Sequence, residues 1–326
     1  MSTDPLPSRT PGHKPGLSAF SAFAATWVFV LVTLGAFTTS IGAGMAFPDW
    51  PLSNGSLNPS GWLTNIAMFA EHSHRLSAGL MTILTIALAA WIWRAESRRW
   101  LRRLSLFAVG LVVFQAVIGG LRVLLEGVQV AAVDTSLGRL FAMLHACLAQ
   151  GLACTLLAIA IGCSAAWIRS PIPVGPMVRR LGRVCCVLLF IQLGIAAVMR
   201  HSFAGLAIPT FPWSNPDGGL IPEAWNFRVG IHFAHRVMAV VLTLAVVSYA
   251  VAIWRDRSAS LAMRYGASTL LSLLGLQVII GAAIIRTMRN PTITTVHVLI
   301  GALTLATAFW LTWLAHRDTI EGTPAP

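Results

Sequence analysis

Eight blocks of the chain are apolar over the roughly 20 residues that a helix needs to cross a bilayer. They fall at about 19–41, 66–93, 104–125, 140–168, 182–200, 229–254, 266–286 and 294–315. The first block precedes Ala43-Gly44-Met45-Ala46 and so mimics a secretory signal, but its apolar run is too long for one. The pattern predicts an all-α polytopic membrane protein of eight transmembrane helices. Residues 1–18 are rich in proline and read as a disordered tail. A four-helix bundle over 19–168, a linker over 169–181, a second four-helix bundle over 182–315 and a tail over 316–326 follow.

Composition removes the soluble alternatives. Hydrophobic residues make up 56% of the 326 and charged residues 10%, against roughly 25% charged in a soluble domain. A water-soluble enzyme and a disordered chain are both excluded. The net charge is +12, carried by 22 arginines and a single lysine, Lys14. Without a soluble basic domain, nucleic acid is not the expected partner. The arginines instead give orientation. Five lie in 94–103, four in 169–183 and three in 255–264, and Arg9, Lys14 and Arg317 join them on one side. By the positive-inside rule that side is cytoplasmic, and both termini lie there. The other eight arginines (75, 122, 139, 200, 228, 236, 286 and 289) cluster at or within helix ends on the opposite side. Arginine is costly within a span, which points to a bound anion. All five cysteines fall inside apolar segments and read as small buried hydrophobes.

The chain is duplicated. Ala46-Phe-Pro-Asp-Trp-Pro-Leu-Ser-Asn54 matches Ala207-Ile-Pro-Thr-Phe-Pro-Trp-Ser-Asn215 at an offset of 161, and His74-Arg75 matches His235-Arg236 at the same offset. Gln115 and Gly119 match Gln277 and Gly281, and His145 matches His297 after a shorter loop. Each copy contains four helices. An even number returns the chain to the same side, so the copies share one orientation about an axis along the membrane normal.

Four histidines, His74, His145, His235 and His297, sit near the starts of the second, fourth, sixth and eighth segments, two in each copy. A lone histidine in a span commonly bonds to a neighbouring helix. Two facing pairs at one depth instead suit metals held by two imidazoles each. With no carboxylate or thiolate cluster beside them, haem iron fits better than zinc. Arg75, Arg122, Arg236 and Arg286 are candidate partners for haem propionates. Gly119, Gly120 and Gly281 would let a flat macrocycle approach, or would serve close helix packing. The copies differ in one respect. Glu71 precedes His74 by three residues, on the same helix face, and the matching residue in the second copy is His232. An acid beside only one of two duplicated sites suits one reactive site and one relay site.

At these residues the sequence resembles the haem A synthase family over about residues 25–315. The resemblance rests on Gly44-Met-Ala-Phe-Pro-Asp-Trp-Pro51, Glu71-x-x-His74-Arg75, His235-Arg236, His145, His297 and the duplication. It implies an oxidoreductase of the bacterial cytoplasmic membrane that oxidises the C8 methyl of haem O to a formyl group through successive hydroxylations. It places the substrate haem at His74 and His145 beside Glu71, and a haem b cofactor at His235 and His297, both toward the outer face. It further implies haem O synthase as the supplier, a haem–copper terminal oxidase or its assembly factors as the recipient, and an electron acceptor. The cysteine pair that many family members carry in the first outer loop is absent between Ile41 and Leu63. The alternative is a bis-histidine, two-haem electron carrier without chemistry on haem. A transporter is a weaker rival, because no helix shows a paired Gly/Pro break at midplane.

Overall fold

A computed structural model describes residues 12–133, 135–169 and 172–322 of the chain. Eight helices long and apolar enough to cross a membrane dominate it. They are α1 (Pro15–Ser40), α2 (Ile66–Ala95), α3 (Arg99–Leu124), α4 (Leu137–Cys163), α6 (Pro176–His201), α7 (Phe227–Arg255), α8 (Leu261–Arg286) and α9 (Pro291–Ala315). Two short helices, α5 (Ala165–Arg169) and α10 (Arg317–Glu321), follow α4 and α9. A two-stranded antiparallel ribbon, β1 (Gln129–Val130) with β2 (Thr135–Ser136), links α3 to α4.

All eight predicted spans are present, and their ends differ for local reasons. Helices α3, α6 and α8 begin five or six residues before the apolar blocks do. Their first turns carry Arg99, Arg102, Arg103, Arg179, Arg180 and Arg264, which lower hydropathy but favour helix. Side-chain caps fix several starts: Asn65, Ser136, Asn226, Ser260 and Asn290 each accept a main-chain N–H of the first turn. The fourth span stops at Cys163 instead of 168, because Ser164 is extended (φ −72°, ψ 151°) and its Oγ accepts from Trp167 N to start α5. Helix α1 takes in Pro15–Ser18, assigned to the disordered tail, while residues 1–11 of that tail lie outside the described residues.

In the first copy α1 packs on α2 and α4, α2 on α3, and α3 on α4; in the second, α6 packs on α7 and α9, α7 on α8, and α8 on α9. The copies meet through α1–α9, α4–α6 and α4–α9. Exchanging the copies turns α1–α9 into α6–α4 and α4–α9 into itself, so the interface keeps the two-fold relation of the repeat. In lipid, such an interface is held by close packing and hydrogen bonds more than by removal of apolar surface from water.

At the arginine-rich end Trp100, Trp167 and Trp313 cluster with ring centres 5.9–6.3 Å apart. There Arg98 joins Glu96 (2.7 Å) to Glu321 (3.1 Å) of α10. Toward the opposite end Arg200 of α6 donates to Ala36 O (2.9 Å) and Ser40 Oγ (2.8 Å) of α1, and Thr295 of α9 donates to the same Ser40 hydroxyl. Each end of the molecule therefore has a polar tie between the copies.

Candidate active site

The site is built twice at the end opposite the arginine-rich one. His74, His145 and His235 lie eight residues beyond the first residue of α2, α4 and α7, and His297 lies six beyond that of α9. At 1.5 Å per residue these positions are about 9–12 Å along their helices, so all four share one depth.

Each copy clamps its connecting loop with the arginine after the histidine. Arg75 donates to the main-chain oxygens of Phe47, Asp49 and Leu52. Arg236 donates to those of Ile208, Thr210 and Trp213, the same three positions 161 residues on. Both loops carry a cis peptide at matching sites, Trp50–Pro51 and Phe211–Pro212. These two guanidinium groups, candidates for propionate pairing, thus hold loop backbone, a role not predicted from the sequence. Arg122 reaches the same loop through Gly44 O and Met45 Sδ, whereas Arg286 is exposed.

The carboxylate that distinguishes the copies sits inside this clamp. Glu71 is buried, with Oε1 2.5 Å from Arg75 and Oε2 accepting from Phe47 N at 3.2 Å. In the second copy His232 Nδ1 accepts from Ile208 N, also at 3.2 Å. Glu71 and His232 therefore occupy equivalent places and meet the same loop N–H; they differ in chemistry alone. His72, one residue on, bonds Ser53 Oγ through Nδ1 (3.0 Å) and packs edge-on against Trp62. Asp49 braces the loop tip, its carboxylate accepting from Asn54 and Gly55 N–H at 2.7 Å. The Gly55 N–H foremost holds that carboxyl below its usual range. The ring of Trp50 in this loop lies directly against Gly120, next to the glycine that faces His145.

In the first copy the two imidazoles face each other with ring centres 6.5 Å apart and planes at 81°. Two imidazoles ligating one ion from opposite sides, with each nitrogen about 2 Å from it, have ring centres about 6 Å apart. His145 is held in place by α3. Its Nδ1 donates to Gln115 O (3.1 Å), while the Gln115 amide donates to His145 O (2.7 Å). A proton fixed on Nδ1 leaves Nε2 free to ligate. In the second copy glutamine amides meet both rings. Gln192 Nε2 lies 3.1 Å from His235 Nδ1, and Gln277 Nε2 lies 3.2 Å from His297 Nε2. His74 Nδ1, His297 Nδ1 and the Oε1 atoms of Gln115, Gln192 and Gln277 are buried without partners among the described residues. Orphaned buried polar atoms are rare and need an explanation; bound haems that reorient these rings would supply one. Among those residues no group of three or more His, Cys, Asp or Glu could hold a metal. Gln192 carries no motif of its own. Its signal in the sequence is a lone amide in an apolar span.

Fold and site together define a duplicated polytopic membrane protein with a histidine pair in each copy. The chain belongs to the COX15-CtaA family, described as cytochrome oxidase assembly protein, whose model matches residues 18–309. It is 28% identical over 317 residues to a protein named heme A synthase from Alkalihalophilus pseudofirmus, covering 94% of this chain and 99% of that one. It is 28% identical to the heme A synthase of Bacillus licheniformis, covering 79% of this chain and 82% of the relative. It is 26% identical to that of Halalkalibacterium halodurans, covering 93% and 98%.

Proposed function

We propose that this chain is a haem A synthase, oxidising the methyl group of haem O to a formyl group, with the substrate in the first copy and haem b in the second. The observation that carries this reading is the exchange of Glu71 for His232 at one place in a duplicated site. A carboxylate stands in the first copy where the second has an imidazole. Family membership and the three named relatives support the activity.

His74 and His145 hold the substrate iron from two sides, with His145 oriented by the Gln115 carbonyl. Glu71 is the proton acceptor of that oxidation, each two-electron step of which also needs an electron acceptor and an oxygen donor from outside the chain. Arg75 fixes that carboxylate and the Phe47–Leu52 loop together, and the loop with Trp50 keeps water from the reacting carbon. His235 and His297 hold haem b, which supplies one-electron redox capacity when bound. Of the four candidate propionate partners, Arg286 is the one that no loop contact engages among the described residues. Haem O arrives from a haem O synthase within the bilayer, and the product passes to a haem–copper oxidase or its assembly factors. Both termini are cytoplasmic and the haem sites face outward.

The test is co-expression with a haem O synthase in a host that makes no haem A, followed by extraction of pigment from the purified protein. The expected result is haem A together with haem b. Haem O and haem b without any formyl product would overturn the reading and favour an electron carrier.

A further inference from the structure

The copies also differ behind the histidines. Gln192 on α6 places Nε2 3.1 Å from His235 Nδ1, 3.4 Å from its Nε2 and 3.1 Å from its main-chain oxygen. The residue 161 positions earlier, on α1, is Leu31. His74 Nδ1 is buried without a hydrogen-bond partner among the described residues, and so is Gln192 Oε1. A side-chain amide has both an acceptor and donors and can turn either to a ring nitrogen. An imidazole that binds metal through one nitrogen carries its proton on the other. A partner there fixes the ring and makes it a stronger donor to the metal. The leucine side chain does neither, and only the Leu31 main-chain carbonyl addresses the His74 ring. In the first copy Gln115 addresses the main chain of His145, whereas its counterpart Gln277 touches the ring of His297. Side-chain amides therefore reach both rings of the second pair and neither ring of the first.

We infer that Gln192 is a positioning residue that locks His235 as a permanent axial ligand, and that Leu31, which gives His74 no side-chain partner, leaves His74 the more readily exchanged ligand. Bonding at His74 is then made and broken as substrate enters and product leaves. The inference rests on the proposed reading of the four histidines as axial ligands, and adds which of them lets go. Permanence at the second pair and exchange at the first follow from one substitution between the copies.

The experiment uses purified full-length protein loaded with haem b as the probe in both sites. It follows haem transfer to excess apomyoglobin, the low-spin spectrum and the midpoint potential. Gln192→Leu should speed haem loss from the second pair about tenfold or more, within the range for lost partners of metal-bound histidine, and raise its potential. Gln192→Glu should restore slow loss and lower the potential below the parent's, an effect that a purely structural role would not produce. Leu31→Gln should slow loss from the first pair about tenfold and leave the second unchanged. Unaltered loss rate and potential in Gln192→Leu, or unaltered first-pair loss in Leu31→Gln, would overturn the inference. If Gln192→Leu does not fold, Gln192→Glu and Leu31→Gln decide it. His235→Ala separates the two levels: if it retains the parent's full haem content, the ligand reading fails, independently of Gln192.

Discussion

Glu71 is where loop architecture and chemistry meet, and the second copy shows how to separate them. His232 provides the loop N–H with an acceptor in the same place, so Glu71→His keeps the acceptor that Phe47 N needs while removing the carboxylate. Glu71→Gln keeps the size and one acceptor oxygen but accepts no proton. Both variants should fold and retain the haem of the second pair. Glu71→Gln should lose haem A formation by roughly 10²–10⁴-fold, the usual weight of general acid–base catalysis, whereas Glu71→His, which restores a base, should lose less. Pigment extraction after co-expression measures the loss. Turnover within a few-fold of the parent in Glu71→Gln would reduce Glu71 to an anchor for the loop and for Arg75. The sequence discloses that Glu71 and His232 are unlike. It does not disclose that they hold the same N–H, because that bond joins residues 24 apart in the chain through a folded loop. The same holds for Arg75 and Arg236, which pattern alone assigns to anions and the fold assigns to carbonyls 23–28 residues away.

At the scale of elements, helix packing sets how close a ring can come to its neighbour. A methyl group added at Gly35 would lie 2.9 Å from His74 Cε1, and one at Gly119 would lie 2.9 Å from His145 Cε1. One at Gly281 would lie 3.3 Å from His297 Cε1, a distance that a small shift relieves. Gly119→Ala should therefore displace its histidine more than Gly281→Ala does, at an overpacking cost of about 1–3 kcal/mol. The measurement is haem per protein by pyridine haemochrome. The first pair should lose occupancy in Gly119→Ala, while Gly281→Ala stays near the parent; equal losses would mean that the glycines serve helix packing in general. Helices are the most legible level of the sequence, since apolar length alone locates all eight spans and the repeat fixes the register of the histidines. Their ends are less legible. Arginines that continue a helix look like loop to a hydropathy pattern, and the Ser164 break depends on a side-chain bond that hydropathy does not register. The β1–β2 ribbon, two residues in each strand, carries too little pattern to be seen.

The whole molecule divides its arginines by environment as well as by number. At the arginine-rich end Arg94, Arg99, Arg103, Arg169, Arg180, Arg183, Arg255 and Arg257 are exposed. At the other end only Arg228, Arg286 and Arg289 are, while Arg75, Arg122 and Arg236 hold loops, Arg139 pairs with Glu126 and Arg200 ties α6 to α1. The bias in solvated positive charge is thus steeper than a residue count suggests, and the solvated charges are the ones that resist translocation. Carrying a charge outward across an inside-negative membrane costs about 2.3 kcal/mol per 100 mV. The arginine-rich end should accordingly face the cytoplasm, with the histidine pairs toward the outside. Single cysteines test this directly, because the five native ones lie within helices and none is exposed. Ser60→Cys, in the exposed loop between α1 and α2, should react with a membrane-impermeant maleimide in intact spheroplasts. Ser258→Cys, exposed between α7 and α8, should react only after the membrane is permeabilised. The reverse pattern would place both histidine pairs at the cytoplasmic face and the exposed arginines outside. The eight arginines of the histidine end would then have to be explained as the retained charges, although five of them are already engaged within the protein.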